Sequence, residues 1–286
     1  MQVHVIDTGF FKLDGGAMYG VVPKSIWQKL NPSDENNLCS WAMRCLLIED
    51  GNRLILIDTG LGNKQDAKFF SYYYLHGTAS LLQSIQNAGF SPDEITDVIL
   101  THLHFDHVGG AVSSNTDKTK YFPTFKNARY WSTPRHWHWA IQPNPREKAS
   151  FLKENILPLQ ESGQLHWIEE GKISPFANID FLFVEGHTEA MLLPKIQIGN
   201  QTIVYMADLI PSAGHISLPY VMSYDVRPLL TMDEKATILN RAVEKEWILF
   251  FEHDPITECA VVQHTEKGIR IENQGALAEW LSLTNQ

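Results

Sequence analysis

The segment THLHFDHVGG at residues 101–110 places four metal-binding side chains within six residues. These side chains are His102, His104, Asp106 and His107. Imidazole and carboxylate groups together suit zinc or a similar first-row divalent metal. The segment follows an apolar run and ends in a Gly-Gly turn, so the loop can direct alternate side chains toward one point. This pattern predicts a metal site and disfavours ordinary surface or core histidines.

Strands and helices are predicted to alternate around this segment. Strands are predicted at 3–6, 38–49, 54–60, 97–100 and 247–251, and helices at 78–88 and from 231 to about 245. Residues 49–52 have hairpin-turn chemistry, and a capping box at 231–234 marks the start of the late helix. Residues 132–158 are rich in Trp, His and Pro and indicate an insertion or helical excursion. His and Asp residues follow several strand ends, where α/β folds place their sites.

Composition and charge narrow the class of protein. The 286 residues are 44% apolar and 20% charged, which is ordinary for a globular enzyme, and we expect a single domain over 1–286. The formal charge of −10 argues against nucleic-acid and anionic-membrane partners. Three cysteines without a CxxC motif fit a reducing compartment. With neither a signal-peptide pattern nor a long apolar run, these features predict a soluble, cytoplasmic protein.

Five landmarks along the chain resemble those of the metallo-β-lactamase superfamily. They are Asp58 in LILIDTG, the cluster at 102–107, His187 in EGHT, Asp208 in YMADL and His253 in FFEHD. The resemblance covers nearly the whole chain. It implies an α/β fold, an αββα four-layer sandwich in which two mixed β-sheets are flanked by helices.

The resemblance also implies a dinuclear site for two divalent metal ions, with zinc as the first choice. His102, His104 and His187 would hold one ion, and Asp106, His107 and His253 would hold the other. Asp208 would bridge both ions, and Asp58 would orient the ligand loop through hydrogen bonds. A hydroxide shared by two such ions can attack a carbonyl or phosphoryl centre. Asp106 is predicted to pass a proton to the leaving group.

Two stretches point to a subgroup of the family. HLHFDHVGG at 102–110 and GGAMYGVVPKSIWQKLNP at 15–32 resemble the N-acyl homoserine lactonases, which are quorum-quenching enzymes, and the related organophosphate hydrolases. This resemblance implies the opening of a small-molecule lactone and a homodimer. The alternative is hydrolysis of a phosphotriester or another activated ester at the same metals. A non-catalytic metal-binding or sensing protein is a third hypothesis, which the full ligand set disfavours.

Several other residues have two interpretations. Lactonases of the family have a Tyr three residues beyond the bridging Asp, where this chain has Pro211. His215 either replaces that Tyr as a catalytic hydrogen-bond donor to substrate or is structural. For His136 and His138, packing is favoured over a second metal pair. The apolar side chains at 18–27 could line an acyl pocket or pack in the core.

Overall fold

The computed structural model of the chain describes residues 1–282 and divides into two compact units. The first unit consists of residues 1–10, 43–175 and 190–192. The second unit consists of residues 11–42, 176–189 and the described chain from residue 193 onward. The single domain expected over 1–286 stays a prediction.

The described chain forms two six-stranded sheets and one two-stranded sheet. The strands are β1 (Gln2–Asp14), β2 (Leu38–Asp50), β3 (Arg53–Ile57), β4 (Asp97–Ile99), β5 (Val112–Ser114), β6 (Tyr121–Pro123), β7 (Arg129–Ser132), β8 (Leu165–Trp167), β9 (Ile179–Val184), β10 (Met191–Ile198), β11 (Gln201–Tyr205), β12 (Ile248–Phe250), β13 (Cys259–Thr265) and β14 (Gly268–Gly275).

Helices connect these strands. The α-helices of the described residues are α1 (Gly15–Tyr19), α2 (Lys24–Trp27), α3 (Ala67–Ser71), α4 (Leu81–Asn87), α5 (Phe105–Val108), α6 (Pro134–Ile141), α7 (Lys153–Glu161), α8 (Pro228–Lys245) and α9 (Leu277–Ser282). Within residues 1–282, none of the helices combines the length and the apolar character needed to cross a membrane.

The first unit is built on a mixed sheet with the strand order β1-β2-β3-β4-β7-β8. Strands β2 and β3 form the predicted antiparallel hairpin, while β3, β4, β7 and β8 pair in parallel. Leu56, Val98 and Tyr130 lie in register on adjacent strands and are fully buried in the core of this unit. Because parallel strands end at the same edge of a sheet, the residues that follow β3 and β4 meet there.

The second unit has a mixed sheet with the strand order β14-β13-β12-β11-β10-β9. Strands β11 and β12 pair in parallel, with Tyr205 opposite Phe250 at their carboxyl ends. Asp208 and His253 each lie three residues beyond one of these paired ends. The sheet therefore delivers two predicted ligands to one edge of the second unit.

The α/β class with two mixed sheets is confirmed, and so are most of the predicted elements. The first strand is longer than predicted and runs to Asp14. Helix α4 is shorter than the predicted 78–88 and begins after Ser80, and Gly89 follows its end with a φ of 95°, a left-handed conformation that glycine adopts readily at helix ends. The excursion at 132–158 contains α6 and the start of α7.

The predicted capping box of the late helix is wrong. Helix α8 begins at Pro228, and Thr231 lies inside its first turn. The Glu234 carboxylate instead accepts hydrogen bonds from the backbone N–H groups of Glu185 and Gly186, at 2.6 and 3.0 Å. The Ser/Thr-x-x-Glu spacing is present, but the Glu234 carboxylate makes this tertiary contact and does not cap a helix at Thr231. The helix begins about one turn earlier than predicted, at Pro228.

Replacing Leu56 with Ala tests the packing of the first unit. Leu56 is fully buried, so Leu56→Ala should lower the free energy of unfolding by about 2–5 kcal/mol. Leu82→Ala is the matched control, because Leu82 is 42% exposed and its loss should change the free energy by less than about 0.5 kcal/mol. Urea denaturation measures both values. Equal losses would contradict the assignment of Leu56 to the core.

Candidate metal centre

The carboxylate of Asp58 organises the metal-ligand segment of the first unit. Asp58 follows β3 with a left-handed φ of 56°. Its Oδ1 accepts a hydrogen bond from the Thr101 N–H at 2.8 Å, and its Oδ2 accepts from the Thr101 hydroxyl at 2.7 Å and from His107 Nδ1 at 3.1 Å. The proton on Nδ1 leaves His107 Nε2 with a lone pair for a metal. Asp58 therefore makes the predicted hydrogen bonds to the ligand segment, and its role toward a bound metal stays a prediction.

The four predicted ligands of this segment are buried and lie in pairs. His102 Nε2 lies 3.0 Å from His104 Nδ1, and His107 Nε2 lies 3.8 Å from Asp106 Oδ2. The Thr101 hydroxyl donates its only proton to Asp58, so His102 Nδ1 donates to the Thr101 oxygen, 3.1 Å away. His102 Nε2 is then an acceptor. The lone pair of His102 Nε2 is therefore available to a cation on the side of the ring that faces His104.

Close backbone approach explains the Gly-Gly pair that ends the segment. A Cβ on Gly109 would lie 2.0 Å from the Leu61 carbonyl oxygen, and one on Gly110 would lie 2.2 Å from that of Thr59. Any larger residue would push these two loops apart. The buried amine of Lys64 also donates to the Gly109 carbonyl oxygen. The loop after β3 therefore supports the ligand segment along its length.

In the second unit, one carboxylate faces two imidazoles. Asp208 Oδ2 lies 3.0 Å from His187 Nε2, and Asp208 Oδ1 lies 3.1 Å from His253 Nε2. All three side chains are buried. Asp208 follows Ala207, which has a left-handed φ of 41°. A carboxylate whose two oxygens each face a different imidazole has the arrangement expected of a ligand that bridges two metal ions.

The outer nitrogens of the two imidazoles are also held. His187 Nδ1 lies 2.7 Å from Asp225 Oδ1, and His253 Nδ1 donates to the Ala42 carbonyl oxygen at 2.7 Å. Both rings therefore turn their Nε2 atoms toward Asp208. Asp225 was not predicted, because it lies 38 positions from His187 and no local motif contains it.

The electrostatics of the second unit favour a bound cation. Burial by itself lowers the pKa of His187, but the Asp208 and Asp225 carboxylates outweigh it and raise that pKa to about 10. A field that holds a proton on this ring also favours a divalent metal in its place. Imidazole and carboxylate donors suit zinc and its neighbours, so the residues of each unit fit the metal that the sequence predicts.

His136 packs in the interior, as the favoured interpretation predicted, whereas His138 lies at the surface. His136 is buried, and its Nε2 accepts a hydrogen bond from the Leu103 N–H at 2.8 Å. His138 is exposed, and its Nδ1 donates to the Pro134 carbonyl oxygen at 2.6 Å. The pair faces two different surroundings and does not form a second metal pair.

His215 is buried within the second unit. Its ring stacks on Tyr19 with centroids 4.5 Å apart and an interplanar angle of 3°. Its Nε2 lies 2.9 Å from the Met18 carbonyl oxygen, and its Nδ1 lies 2.7 Å from the Ser212 hydroxyl. Burial lowers the pKa of His215 to about 3, so the ring is neutral and has one N–H, which donates to Met18. The structural alternative accounts for both nitrogens, and the role toward substrate stays a prediction.

The apolar side chains at 18–27 divide between the two interpretations given above. Met18, Tyr19, Val22 and Trp27 are buried, while Val21 is 90% exposed. Core packing therefore accounts for most of the set.

Comparison with known proteins agrees with this geometry. Residues 44–253 match the family model described as the metallo-beta-lactamase superfamily. The chain is 24% identical over 245 residues to the N-acyl homoserine lactonase AiiA of Bacillus thuringiensis subsp. kurstaki, over 80% of this chain and 87% of that protein. The range matched by the family model includes every predicted metal ligand.

Solved structures share the fold. A "probable metal-dependent hydrolase" from Staphylococcus aureus superposes with a TM-score of 0.86 at 27% identity, over 96% of this chain and 95% of that one. AidC, a dizinc quorum-quenching lactonase, superposes with a TM-score of 0.78 at 20% identity, over the same shares of 96% and 95%. The family model matches well over half of the length of this chain. The chain therefore belongs to the metallo-beta-lactamase superfamily and is a metal-dependent hydrolase.

Proposed function

We propose that this protein opens the lactone ring of an N-acyl homoserine lactone and thereby quenches a quorum signal. The observation that carries the proposal is Asp208, whose two carboxylate oxygens face the imidazoles of His187 and His253. A bridging carboxylate of this kind suits a two-metal hydrolytic site. The similarity to a lactonase over 80% of the chain supports the choice of substrate.

The proposed site takes two divalent ions, with zinc as the first choice. One ion is assigned to His102, His104 and His187, the other to Asp106, His107 and His253, and Asp208 is assigned to both. The support is the family motif, read residue by residue, together with the paired ligand atoms within each unit. When bound, two such ions polarise a carbonyl oxygen and lower the pKa of a water molecule.

Residues of the chain have distinct tasks in this scheme. Asp58 and Asp225 accept hydrogen bonds from His107 Nδ1 and His187 Nδ1 and so fix which ring nitrogen is offered as a ligand. Asp106 takes a proton from the attacking water as the water oxygen bonds the carbonyl carbon, and passes that proton to the alkoxide oxygen that leaves when the ring C–O bond breaks. His215 shapes the second unit around Tyr19 and keeps its N–H on Met18. Cytoplasmic location and a homodimer remain predictions.

Substrate class is tested by proton release from the zinc-loaded protein. The panel contains N-acyl homoserine lactones of several chain lengths, simple lactones and an aryl phosphotriester, with metal-stripped protein as the control. We expect metal-dependent opening of the acyl lactones, with a preference for certain chain lengths. Turnover of the phosphotriester without any lactone opening would favour the alternative function instead.

Asp106→Asn tests the proton transfer. The amide cannot supply the proton, so kcat for a lactone should fall by about 100-fold or more. Metal content is measured on the same preparation, because Asp106 is also assigned as a ligand. A variant that retains two ions and full turnover would rule out the role of Asp106 as an acid.

His215→Ala separates the two interpretations of that residue. The substitution removes a stacked ring and leaves the Ser212 and Met18 groups without their partner, so the free energy of unfolding should fall by about 2–4 kcal/mol. The kcat/KM of the folded fraction should change less than about threefold, well under the effect of a lost general acid or donor. His138→Ala, at an exposed histidine, is the control. Unchanged stability with a large loss of kcat would instead assign His215 to the substrate.

A further inference from the structure

The stretch from residue 133 to residue 152, here called the buttress segment, contacts three consecutive residues of the ligand segment. His136 Nε2 accepts from the Leu103 N–H at 2.8 Å, and the Ser150 carbonyl oxygen accepts from the Phe105 N–H at 3.0 Å. Between these two hydrogen bonds, the ring centroids of Phe151 and His104 lie 4.7 Å apart. All of these residues belong to the first unit. The stretch at 132–158, for which the sequence predicted no function, therefore contacts and supports the candidate metal ligands.

Glu147 is the one acidic side chain of this segment, and it is buried with 3% of its surface exposed. Its Oε2 accepts hydrogen bonds from Trp139 Nε1, at 2.7 Å, and from Asn144 Nδ2. Its Oε1 lies 3.5 Å from His104 Nε2. Two donors thus fix one oxygen of the carboxylate, and the other oxygen faces a predicted metal ligand.

The two nitrogens of the His104 ring have opposite surroundings. Nε2 lies 3.5 Å from the Glu147 carboxylate, which can only accept a hydrogen bond, so this carboxylate favours the tautomer with the N–H on Nε2. Nδ1 then has the lone pair, and it lies 3.0 Å from His102 Nε2, which is also an acceptor. Two lone pairs at this distance repel each other unless they share a cation. The buried negative charge of Glu147 adds to the attraction of the site for that cation.

We propose that Glu147 is a positioning residue: it fixes the His104 tautomer that binds metal and strengthens metal binding through its charge. The inference rests on the proposed metal site but concerns a residue outside the ligand set. Histidine ligands of metals generally donate their second N–H to a carboxylate or carbonyl, and loss of such a partner weakens metal affinity by about 10–100-fold.

The test is a zinc titration of Glu147→Gln against a chromophoric chelator. This substitution keeps the shape of the side chain but removes its charge and its preference for accepting protons. We expect one of the two zinc ions to bind at least about tenfold more weakly than in wild type. Glu161→Gln removes the same charge from an exposed site at the end of α7 and should leave both affinities unchanged.

A second readout separates positioning from support of the fold. In the zinc-loaded wild type, the His104 Nε2–H proton should give a downfield, slowly exchanging NMR signal, which should weaken and shift in Glu147→Gln. Glu147→Asp, which restores a carboxylate, should recover part of the zinc affinity. Thermal unfolding of the metal-free variants shows whether they fold. If Glu147→Gln fails to fold, Trp139→Phe replaces it, because this change loosens the carboxylate without removing it.

The outcomes are distinct. Wild-type zinc affinity and an unchanged His104 signal in Glu147→Gln would overturn the role of Glu147 while leaving the proposed function intact. An equal loss of affinity in Glu147→Gln and Glu147→Asp would also overturn it, since it would indicate a loss of packing alone. A wild-type protein that binds no zinc would overturn the proposed function, and the role of Glu147 with it.

Discussion

The hydrogen bonds of Asp58 are the constraint on which the ligand segment depends. One carboxylate at the end of β3 holds the backbone and hydroxyl of Thr101 and the ring of His107. It therefore sets both the path of the chain after β4 and the nitrogen that His107 offers. Removing one partner of a buried charged network costs about 3–5 kcal/mol, so the position tolerates little change. The same arrangement requires glycine at 109 and 110, because the loop after β3 and the ligand segment lie too close together for side chains there.

Buried carboxylates recur behind the imidazoles of both units. Asp58 stands behind His107, Glu147 behind His104 and Asp225 behind His187. Asp58 and Asp225 accept hydrogen bonds from the outer nitrogens of their rings, and Glu147 lies 3.5 Å from the outer nitrogen of His104. Each carboxylate favours a lone pair on the inner nitrogen of its ring. Charges of one sign in a dry interior are costly without compensation. The pair of divalent cations proposed for the site would supply that compensation, so the chemistry of the site and the stability of the folded chain would have the same physical origin.

The candidate ligands and Asp58 could be predicted from the sequence, whereas the partners Asp225 and Glu147 could not. The HxHxDH segment is local, and strands β3, β4 and β12 could be predicted from their apolar runs. The resemblance to the superfamily then singled out Asp58, Asp208 and His253. Asp225 and Glu147 act across 38 and 43 positions, where a single sequence carries no signal. The same limit explains the error at Thr231, where a valid capping pattern was overridden by the contact of Glu234 with the backbone of Gly186.

The proposed function requires the chain to hold two metal ions that share Asp208. X-ray absorption of the zinc-loaded protein, combined with its metal content by mass spectrometry, tests this most directly. We expect two zinc ions per chain, bound by nitrogen and oxygen ligands. We also expect a zinc–zinc separation of about 3.5–4 Å that disappears in Asp208→Ala. Less than one ion per chain, or two ions with no zinc–zinc scattering and no response to Asp208→Ala, would contradict it.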